Sequence, residues 1–382
     1  MGKKNWEFIR ILRAIGALSV VFYHLGYIFW VKQNVCATVE LYHPIEFVSV
    51  PFWIDLNNNL THFGINWGMF GVSLFFLISG FLIPNSIKRY GWKKFLVLRV
   101  MRLYPMYAIT LLLTCIVLKF SSSHFNVEYP YTCSIFLKNL SLARDWFWSV
   151  SIDAVGWTLE CEAKFYIFCA YIAWISSLEN EKIFLNILGI GTVVNYLTVG
   201  IRNDFIQNCF NLYKFLYIIG NAIPFLCIMF IGVAYYCYCE EKWRKSKLIT
   251  INCILVAFFG LNIKFNVPER ALEYYVSYGI GIILFLSCYK FKEKFRENYI
   301  LKYVANISFP LYLIHCVCGG ICMRVLLDYT SNVYVVLVIA IGGCVLVATL
   351  LHIFIEEKLM CILQKMVGIK NNIKINFQQE HK

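Results

Sequence analysis

The chain has 382 residues, of which 60% are hydrophobic and 15% are charged, and its mean hydropathy is +0.64. Such a composition excludes a soluble globular domain, whose surface needs many more polar side chains. The net charge of +13 does not indicate nucleic-acid binding, because Lys and Arg lie in short segments between apolar runs. Most of the 16 cysteines lie within apolar runs, where a thiol behaves as a small hydrophobe, so we expect neither a disulfide framework nor a metal site.

Apolar runs follow one another along the whole chain, each close to the length that an α-helix needs to cross a bilayer. They predict an all-α, polytopic bundle of about ten transmembrane helices, the first of them a retained helix rather than a cleaved signal peptide. A re-entrant segment around residues 205–215 is an alternative that would change the count. The predicted spans are 8–30, 67–83, 95–118, 157–175, 183–199, 215–239, 248–263, 272–289, 303–327 and 333–355.

The distribution of Lys and Arg between alternate loops predicts the orientation, because cytoplasmic loops carry the excess. With a cytoplasmic N-terminus, the inner loops and tails contain 21 of these residues and the outer loops contain 8. We therefore expect both termini in the cytoplasm, with a transmembrane domain over residues 1–358 and a short basic tail over residues 359–382.

Two ionisable side chains share one face of the first predicted helix. Arg13 and His24 are eleven residues apart, which is three turns plus about 20° and about 16 Å along the axis. Ionisable groups within a membrane are costly and are candidates for function. Arg13 has an alternative role, since its long side chain can extend to the cytoplasmic boundary. His24 lies too deep for that and needs a partner.

A pair of arginines opens the third predicted helix. Arg99 and Arg102 are three residues apart and so occupy neighbouring positions on one face. Guanidinium groups bind phosphate oxygens in a bidentate manner, so the pair suits a phosphate-bearing donor such as coenzyme A. The alternative is the ordinary positive charge of a cytoplasmic loop.

The fourth predicted helix begins with charged residues that enter an apolar run. Glu162 lies deeper than Glu160, and Lys164 follows it. A buried carboxylate that orients a histidine forms a familiar general-base pair. A purely structural ion pair between Glu162 and Lys164 or an arginine is the alternative.

The ninth predicted helix carries a further polar face. Ser308, Tyr312 and His315 recur at spacings of four and three residues. Pro310 should kink this helix, and such kinks often accompany a cavity. A structural, hydrogen-bonded His315 is the alternative.

Taken in this order, from residue 8 to residue 358, these motifs resemble the membrane acyltransferase-3 family. The resemblance is carried by the Arg13 to His24 spacing, the run 71–81, the pair Arg99 and Arg102, Glu162 before Phe165 and Tyr166, the segment from Ser308 to His315, and the closing run 355–358. The chain departs from the family pattern at two positions. Ser73 stands where the family usually has aspartate, and Leu359 stands where proline usually continues the closing motif.

The resemblance implies a multi-pass enzyme of the bacterial cytoplasmic membrane that O-acylates surface polysaccharides, peptidoglycan or small molecules. Residues 1–358 would form the acyltransferase-3-like domain. The implied donor is cytoplasmic acyl-CoA, with acetyl-CoA expected, and the implied acceptor is a hydroxyl group of a carbohydrate or a lipid-linked carbohydrate. Membrane lipid surrounds such a protein, and neither a metal nor nucleic acid is expected as a partner.

We expect His24, oriented by Glu162, to act as the general base, or alternatively as a transient acyl carrier. Arg13, Arg99 and Arg102 are expected to bind the donor. The residues expected to line the cavity are Ser73, Trp157, Ser308, Tyr312 and His315. A transporter or flippase for a glycolipid, with the same buried ions as a proton relay, is the first alternative. A structural membrane subunit ranks last, because it leaves the burial of these groups unexplained.

Overall fold

The computed structural model describes residues 7–47, 49–200, 210–296 and 298–359. These residues form α-helices with short 3-10 and π-helical segments, and no β-strand occurs among them. The α-helices are α1 (Glu7–Val21), α2 (Phe29–Val31), α3 (Gln33–Glu40), α4 (Ile54–His62), α5 (Trp67–His124), α6 (Cys133–Leu140), α7 (Trp157–Ile175), α8 (Glu181–Gly200), α9 (Phe210–Cys239), α10 (Lys245–Asn266), α11 (Ala271–Lys290), α12 (Tyr299–Leu326) and α13 (Val333–Leu351). The predicted all-α architecture is therefore confirmed.

Short helical segments of other types complete the architecture. The π-helical segment Phe22–Ile28 connects α1 to α2, and a second one, His352–Leu359, extends α13. Asparagine side chains begin two of the long helices: Asn298 accepts a hydrogen bond from the Leu301 amide at α12, and Asn332 accepts from the Tyr334 amide at α13. Each asparagine satisfies a backbone N–H group that has no partner within its helix.

Eight helical segments of the described chain are long and apolar enough to cross a membrane. They are Glu7–Val31, Trp67–His124, Glu181–Val199, Phe210–Cys239, Lys245–Asn266, Pro268–Lys290, Tyr299–Leu326 and Val333–Leu359. Their surfaces expose large apolar side chains, among them Ile190, Ile283 and Val338, which a soluble protein would bury. The chain is accordingly a multi-pass membrane protein.

The ten predicted spans lie within these helices and α7, to within one residue. Two of the predicted spans fall in α5, and α7 is not among the eight segments because it carries three charged residues within 19. The count of ten crossings and the cytoplasmic position of both termini stay predictions. Of the suggested re-entrant segment, residues 205–209 lie outside the described residues, and α9 begins at Phe210. Of the predicted tail, residues 360–382 also lie outside them.

A single glycine interrupts the longest helix, α5. Gly91 has φ 73° and ψ 160°, which is not a helical conformation. Residues with a side chain rarely adopt a positive φ of this kind, whereas glycine does so readily. Gly91 therefore separates two helical stretches, and it lies between the predicted spans 67–83 and 95–118.

The chain forms two compact units, which we call unit 1 and unit 2. Unit 1 contains the described residues of Met1–Ile54, Val97–Pro130 and Leu286–Lys382, and unit 2 contains those of Asp55–Leu96 and Tyr131–Phe285. The core of unit 1 includes Leu25, Phe29 and Ile314, all at most 1% exposed. In unit 1, α12 approaches its neighbours closely at Gly319, where an added Cβ atom would lie 2.9 Å from the Leu25 side chain and 3.1 Å from Cys344 Sγ.

In unit 2, glycine brings the backbones of α5 and α9 together. A Cβ atom added to Gly80 would lie 1.8 Å from the backbone oxygen of Met229, and one added to Gly232 would lie 2.3 Å from that of Leu77. Small residues at a crossing of membrane helices permit this close approach. The crossing fixes the first part of α5, which carries Ser73 and Ser79, against α9.

Candidate active site

Two polar contacts connect α1 and its π-helical extension to α12 within unit 1. Arg13 Nη2 donates a hydrogen bond to Ser308 Oγ at 3.1 Å, and His24 Nδ1 lies 2.9 Å from His315 Nε2. Arg13 precedes His24 in the chain, and Ser308, the partner of Arg13, precedes His315. The two helices therefore run in the same direction. The structure thereby brings together four of the residues that the sequence singled out.

The hydrogen-bond partners of the two imidazoles determine their tautomers. His315 Nδ1 lies 2.9 Å from the Tyr312 carbonyl oxygen and 3.1 Å from that of Leu311. A carbonyl oxygen only accepts, so in neutral His315 the proton is on Nδ1 and Nε2 is an acceptor. His24 must then donate its Nδ1–H to His315 Nε2, within 3.1 Å of the Val20 carbonyl oxygen as well. This assignment leaves Nε2 of His24 with a free lone pair.

The two imidazoles differ in their access to the space around them. His315 is fully buried, whereas His24 is partly exposed. His24 also lies in the π-helical segment Phe22–Ile28, and π-helical insertions in α-helices frequently occur at functional sites. His24 is therefore the more exposed of the two imidazoles.

The arginines that the sequence suggested for donor binding all lie in unit 1. Arg99 and Arg102 are partly exposed positions of α5, and Arg13 is a partly exposed position of α1. Tyr312, predicted to line a cavity, is mostly buried on α12 between Ser308 and His315. The three arginines and the imidazole pair therefore belong to the same unit.

The closing motif forms contacts of its own at the end of unit 1. His352 Nδ1 and the carboxylate of Glu356 form a hydrogen-bonded ion pair, and His352 Nε2 lies 3.7 Å from Glu357 Oε1. Sequence reasoning noted the two acids but not this histidine. The spacing of four residues between His352 and Glu356 was a usable signal, because such residues are neighbours on a helix.

The acid proposed as the partner of the base lies in unit 2. Glu162 Oε1 accepts a hydrogen bond of 2.6 Å from Ser79 Oγ and another from the Tyr166 hydroxyl. Two hydroxyl donors thus fix the position of this carboxylate. The pairing of Glu162 with His24 stays a prediction.

Ser73, which stands at the aspartate position of the family pattern, is completely buried in unit 2. Its hydroxyl donates to the Phe70 carbonyl oxygen at 2.7 Å. A Cβ atom added to Gly281 of α11 would lie 1.9 Å from Ser73 Oγ. The small side chain at position 73 therefore fills the space at a close contact between two helices.

The other charged residues near the start of α7 form two ion pairs. Arg144 binds Glu160 in a bidentate manner, with Nε 2.9 Å from Oε1 and Nη2 2.8 Å from Oε2. Lys164 Nζ lies 2.5 Å from Asp145 Oδ2, so the structural ion pair considered for Lys164 forms with Asp145. Sequence reasoning did not identify Arg144 or Asp145, because they lie in the preceding loop and no periodic pattern relates them to α7.

The loop before α7 is held by a buried acid. Asp153 Oδ1 accepts hydrogen bonds from the backbone amides of Val155 at 3.1 Å and Gly156 at 2.5 Å. Burial raises the pKa of Asp153, and the two amide donors oppose that shift. This turn sets the position of Trp157, which lines a cavity in unit 2 together with residues of α9.

Within the described ranges, no group of three or more His, Cys, Asp and Glu side chains could hold a metal ion.

Comparison with known proteins gives a match at the level of a family. The family model described as an acyltransferase domain, that of the acyltransferase-3 proteins, matches residues 6–353. No curated protein and no solved structure matches the chain. The matched region includes every residue that the sequence predicted for the site, from Arg13 to His315.

Proposed function

The chain belongs to the acyltransferase-3 family, and from this premise we propose that it transfers an acetyl group from cytoplasmic acetyl-CoA to a hydroxyl of a sugar-like acceptor. Its acyltransferase domain and its membrane helices are the established part of this description. The observation that carries the rest is the contact between His24 and His315, which leaves Nε2 of the more exposed imidazole, that of His24, unprotonated.

His24 is the general base of the proposed reaction. Its Nε2 accepts the proton of the acceptor hydroxyl while the hydroxyl oxygen forms a bond to the thioester carbonyl carbon. His24 then returns the proton to sulfur as the carbon–sulfur bond breaks, so that the products are an ester and a thiol. General-base catalysis of this kind typically contributes about 10²–10⁴-fold to the rate.

His315 and the Val20 carbonyl oxygen support this role. Both accept from Nδ1 of His24, so they orient the ring and stabilise the imidazolium that forms when Nε2 takes a proton. In a catalytic triad a carboxylate accepts from this nitrogen, whereas here the imidazole of His315 does so. Orientation of His24 by Glu162 is the alternative to this arrangement.

Arg13, Arg99 and Arg102 are the proposed donor-binding residues. Their guanidinium groups suit the phosphates of coenzyme A, and all three side chains belong to unit 1 and are partly exposed. The hydrogen bond from Arg13 to Ser308 fixes one of the three in position. Binding of the donor by these residues would place the thioester in the unit that contains His24.

The test measures binding and slow hydrolysis of radiolabelled acetyl-CoA by the purified protein in detergent. In His24→Ala we expect hydrolysis to fall by about 100-fold or more while binding is kept. In Arg99→Ala/Arg102→Ala we expect binding to weaken by about 10–100-fold, since two charge-assisted contacts are lost. The matched control for His24→Ala is His43→Ala, and the matched control for the double arginine variant is Arg89→Ala/Lys94→Ala. All three substituted residues are exposed, so both control variants should behave as the wild type.

Two results would contradict the proposal. Hydrolysis at the wild-type rate in His24→Ala would remove the proposed base. A folded wild-type protein that binds no acetyl-CoA would instead favour the transporter, which needs no acyl donor.

A further inference from the structure

Unit 2 contains a cavity of about 480 Å³ whose lining residues take no part in the proton transfer proposed for His24. Its walls are one face of α7, with Trp157, Glu160 and Lys164, and one face of α9, with Tyr217 and Asn221 at a spacing of four residues. The loop from Arg144 to Val150 forms the remaining side. The volume lies within the range of about 300–1,000 Å³ that is typical of small-molecule sites.

The charges that line this cavity cancel one another. Arg144 and Lys164 are each paired with a carboxylate, that of Glu160 and that of Asp145. The third nitrogen of the guanidinium, Nη1 of Arg144, donates to the Ser149 carbonyl oxygen at 3.1 Å. The cavity therefore offers hydrogen-bonding groups in fixed positions but no excess charge, which favours an uncharged, polar ligand over an anion or a cation.

One polar group in the cavity is available for a ligand. The side-chain amide of Asn221 lines the cavity and is partly exposed, and it makes no hydrogen bond to any residue that the structure describes. An amide presents two N–H donors and a carbonyl acceptor. Hydroxyl groups, which both donate and accept, are its natural complement.

Aromatic rings supply the apolar surface of the same cavity. The rings of Trp157 and Phe225 pack with centroids 5.2 Å apart, and those of Trp148 and Tyr217 pack with centroids 5.7 Å apart. Trp148 is 47% exposed, so its indole has surface left to contact a ligand. The face of an aromatic ring is electron-rich and attracts the weakly positive C–H bonds of a ligand.

A sugar ring combines the features that this cavity complements. Its hydroxyl groups match the amide and the fixed ion pairs, its C–H faces match the aromatic rings, and a simple hexose has no charge. We propose that this cavity in unit 2 binds an uncharged pyranose ring of the acceptor, with Trp148 and Trp157 against the ring faces and Asn221 at its hydroxyls. The inference rests on the proposed function, because it assigns residues of unit 2 to the binding of that reaction's acceptor.

The experiment measures binding of methyl glycosides to the purified full-length protein in detergent by saturation-transfer NMR. The probes are methyl glucoside, methyl galactoside and methyl mannoside, with methyl glucuronide and methyl glucosaminide as charged counterparts. We expect saturable binding of at least one uncharged probe and weaker binding of the charged ones. Trp148→Ala and Trp157→Ala should each weaken binding by about tenfold.

A matched control and a charge variant sharpen the experiment. Trp174→Ala replaces an indole that is 63% exposed at the other end of α7, and it should bind as the wild type does. Glu160→Gln removes the counter-charge of Arg144, so this variant should shift the preference toward the glucuronide. A residue with only a structural role would not produce such a change in specificity. Thermal unfolding of each variant identifies those that fail to fold.

Several outcomes would overturn the inference. These are no saturable binding of any uncharged glycoside by the folded wild type, unchanged affinity in both tryptophan variants, or a preference of the wild type for a charged probe. Hydrolysis of acetyl-CoA in the same preparation separates the two proposals. Hydrolysis without glycoside binding refutes the acceptor site alone, and glycoside binding without hydrolysis refutes the acyl transfer but leaves the sugar site.

Discussion

Units 1 and 2 place ionisable side chains within a membrane protein in different ways. In unit 1, Arg13 contacts a serine hydroxyl and His24 contacts a second imidazole. In unit 2, Arg144 and Lys164 each contact a carboxylate. A neutral imidazole can accept a proton near neutral pH. In an ion pair each charge stabilises the other, so neither group readily gains or loses a proton. This difference is the reason that the proposed function places proton transfer at the imidazole pair of unit 1, and the further inference places ligand binding at the charge-balanced cavity of unit 2.

The largest effect is expected from the buried imidazole of unit 1. His315→Phe keeps a ring of similar size but removes the acceptor for His24 Nδ1–H, so the orientation of the base is lost. We expect the turnover of acetyl-CoA to fall by about 100-fold while its binding is kept. The measurement is steady-state hydrolysis with a parallel binding assay.

A second variant distinguishes positioning from simple packing at this site. The side-chain oxygen of His315→Gln can accept the same hydrogen bond as Nε2, so this variant should recover part of the activity that His315→Phe loses. Equal activity of the two variants would show that the acceptor atom has no role. His124→Phe, at a partly exposed histidine of the same unit, is the matched control and should retain activity.

The next effect concerns stability and tests the close helix crossing of unit 2. In Gly80→Ala, the new methyl group would lie 1.8 Å from the backbone oxygen of Met229, so α5 and α9 must separate. We expect a loss of about 3 kcal/mol in the free energy of unfolding, the upper end for an overpacked core. The measurement is equilibrium or thermal unfolding in detergent.

The same substitution at an open position is the control for Gly80. An added Cβ atom at Gly279, in α11 of unit 2, has no heavy atom within 4 Å. Gly279→Ala should therefore leave stability unchanged or raise it by up to about 1 kcal/mol, since alanine favours a helix over glycine. Equal effects at the two positions would mean that the crossing at Gly80 tolerates expansion.

The sequence predicted the helices well because hydrophobic runs of transmembrane length are a direct consequence of the bilayer. It also predicted that Arg13 and His24 share one helical face and that Ser308 and His315 share another, since that needs only the helical period, and the structure has a contact between the two helices at each pair. It did not predict that His24 contacts His315, because the depth at which two helices pair depends on tertiary structure. Each helix carries two polar residues on one face, Arg13 and His24 on one helix and Ser308 and His315 on the other. This pattern could have suggested that the two faces contact each other.

The features of unit 2 were less accessible to sequence reasoning. Glu160 and Lys164 lie on one face of α7, but their partners Arg144 and Asp145 come from an irregular loop. The cavity depends on how that loop, α7 and α9 come together. No periodic pattern encodes this arrangement, so only Trp157 was suggested as a lining residue.

A smaller effect is expected from an amide network in unit 2. Asn195 Nδ2 donates to Asn262 Oδ1 at 2.8 Å, and Asn262 Nδ2 donates to Thr192 Oγ1 at 2.8 Å. Both asparagines are at most 1% exposed. Asn262→Leu removes one of the two hydrogen bonds made by Asn195 Nδ2 and one of the two made by Thr192 Oγ1, so it should destabilise the protein by about 2 kcal/mol.

A double-mutant cycle checks the origin of that effect. Asn195→Leu/Asn262→Leu removes both partners, so it should destabilise the protein by less than the sum of the two single variants. Strict additivity in thermal or chemical unfolding would mean that the two amides act independently.

A difference in pH dependence, rather than in stability at one pH, tests the comparison at a carboxylate of unit 1. Glu40, at the end of α3, is 4% exposed, and a Cβ atom added to Gly320 would lie 2.1 Å from its Oε1. Its Oε2 accepts no hydrogen bond from a described residue, in contrast to Glu160 of unit 2 with its bidentate arginine. Burial raises the pKa of Glu40 well above 4.5, and the side chain of Tyr42 opposes part of that shift.

The sign of the pH effect follows from that shift. When folding raises the pKa of a carboxyl group, the protein is most stable at a pH where this group is protonated in both the folded and the unfolded state, which is below about pH 4.5. That contribution declines as the pH rises from 4.5 toward the folded pKa, by at most about 1.4 kcal/mol per pH unit. Glu40→Gln stays neutral, so its melting temperature should fall less between pH 5 and pH 7 than that of the wild type. The exposed Glu46→Gln is the control, and identical pH profiles for Glu40→Gln and the wild type would show that Glu40 is as well solvated as an exposed acid.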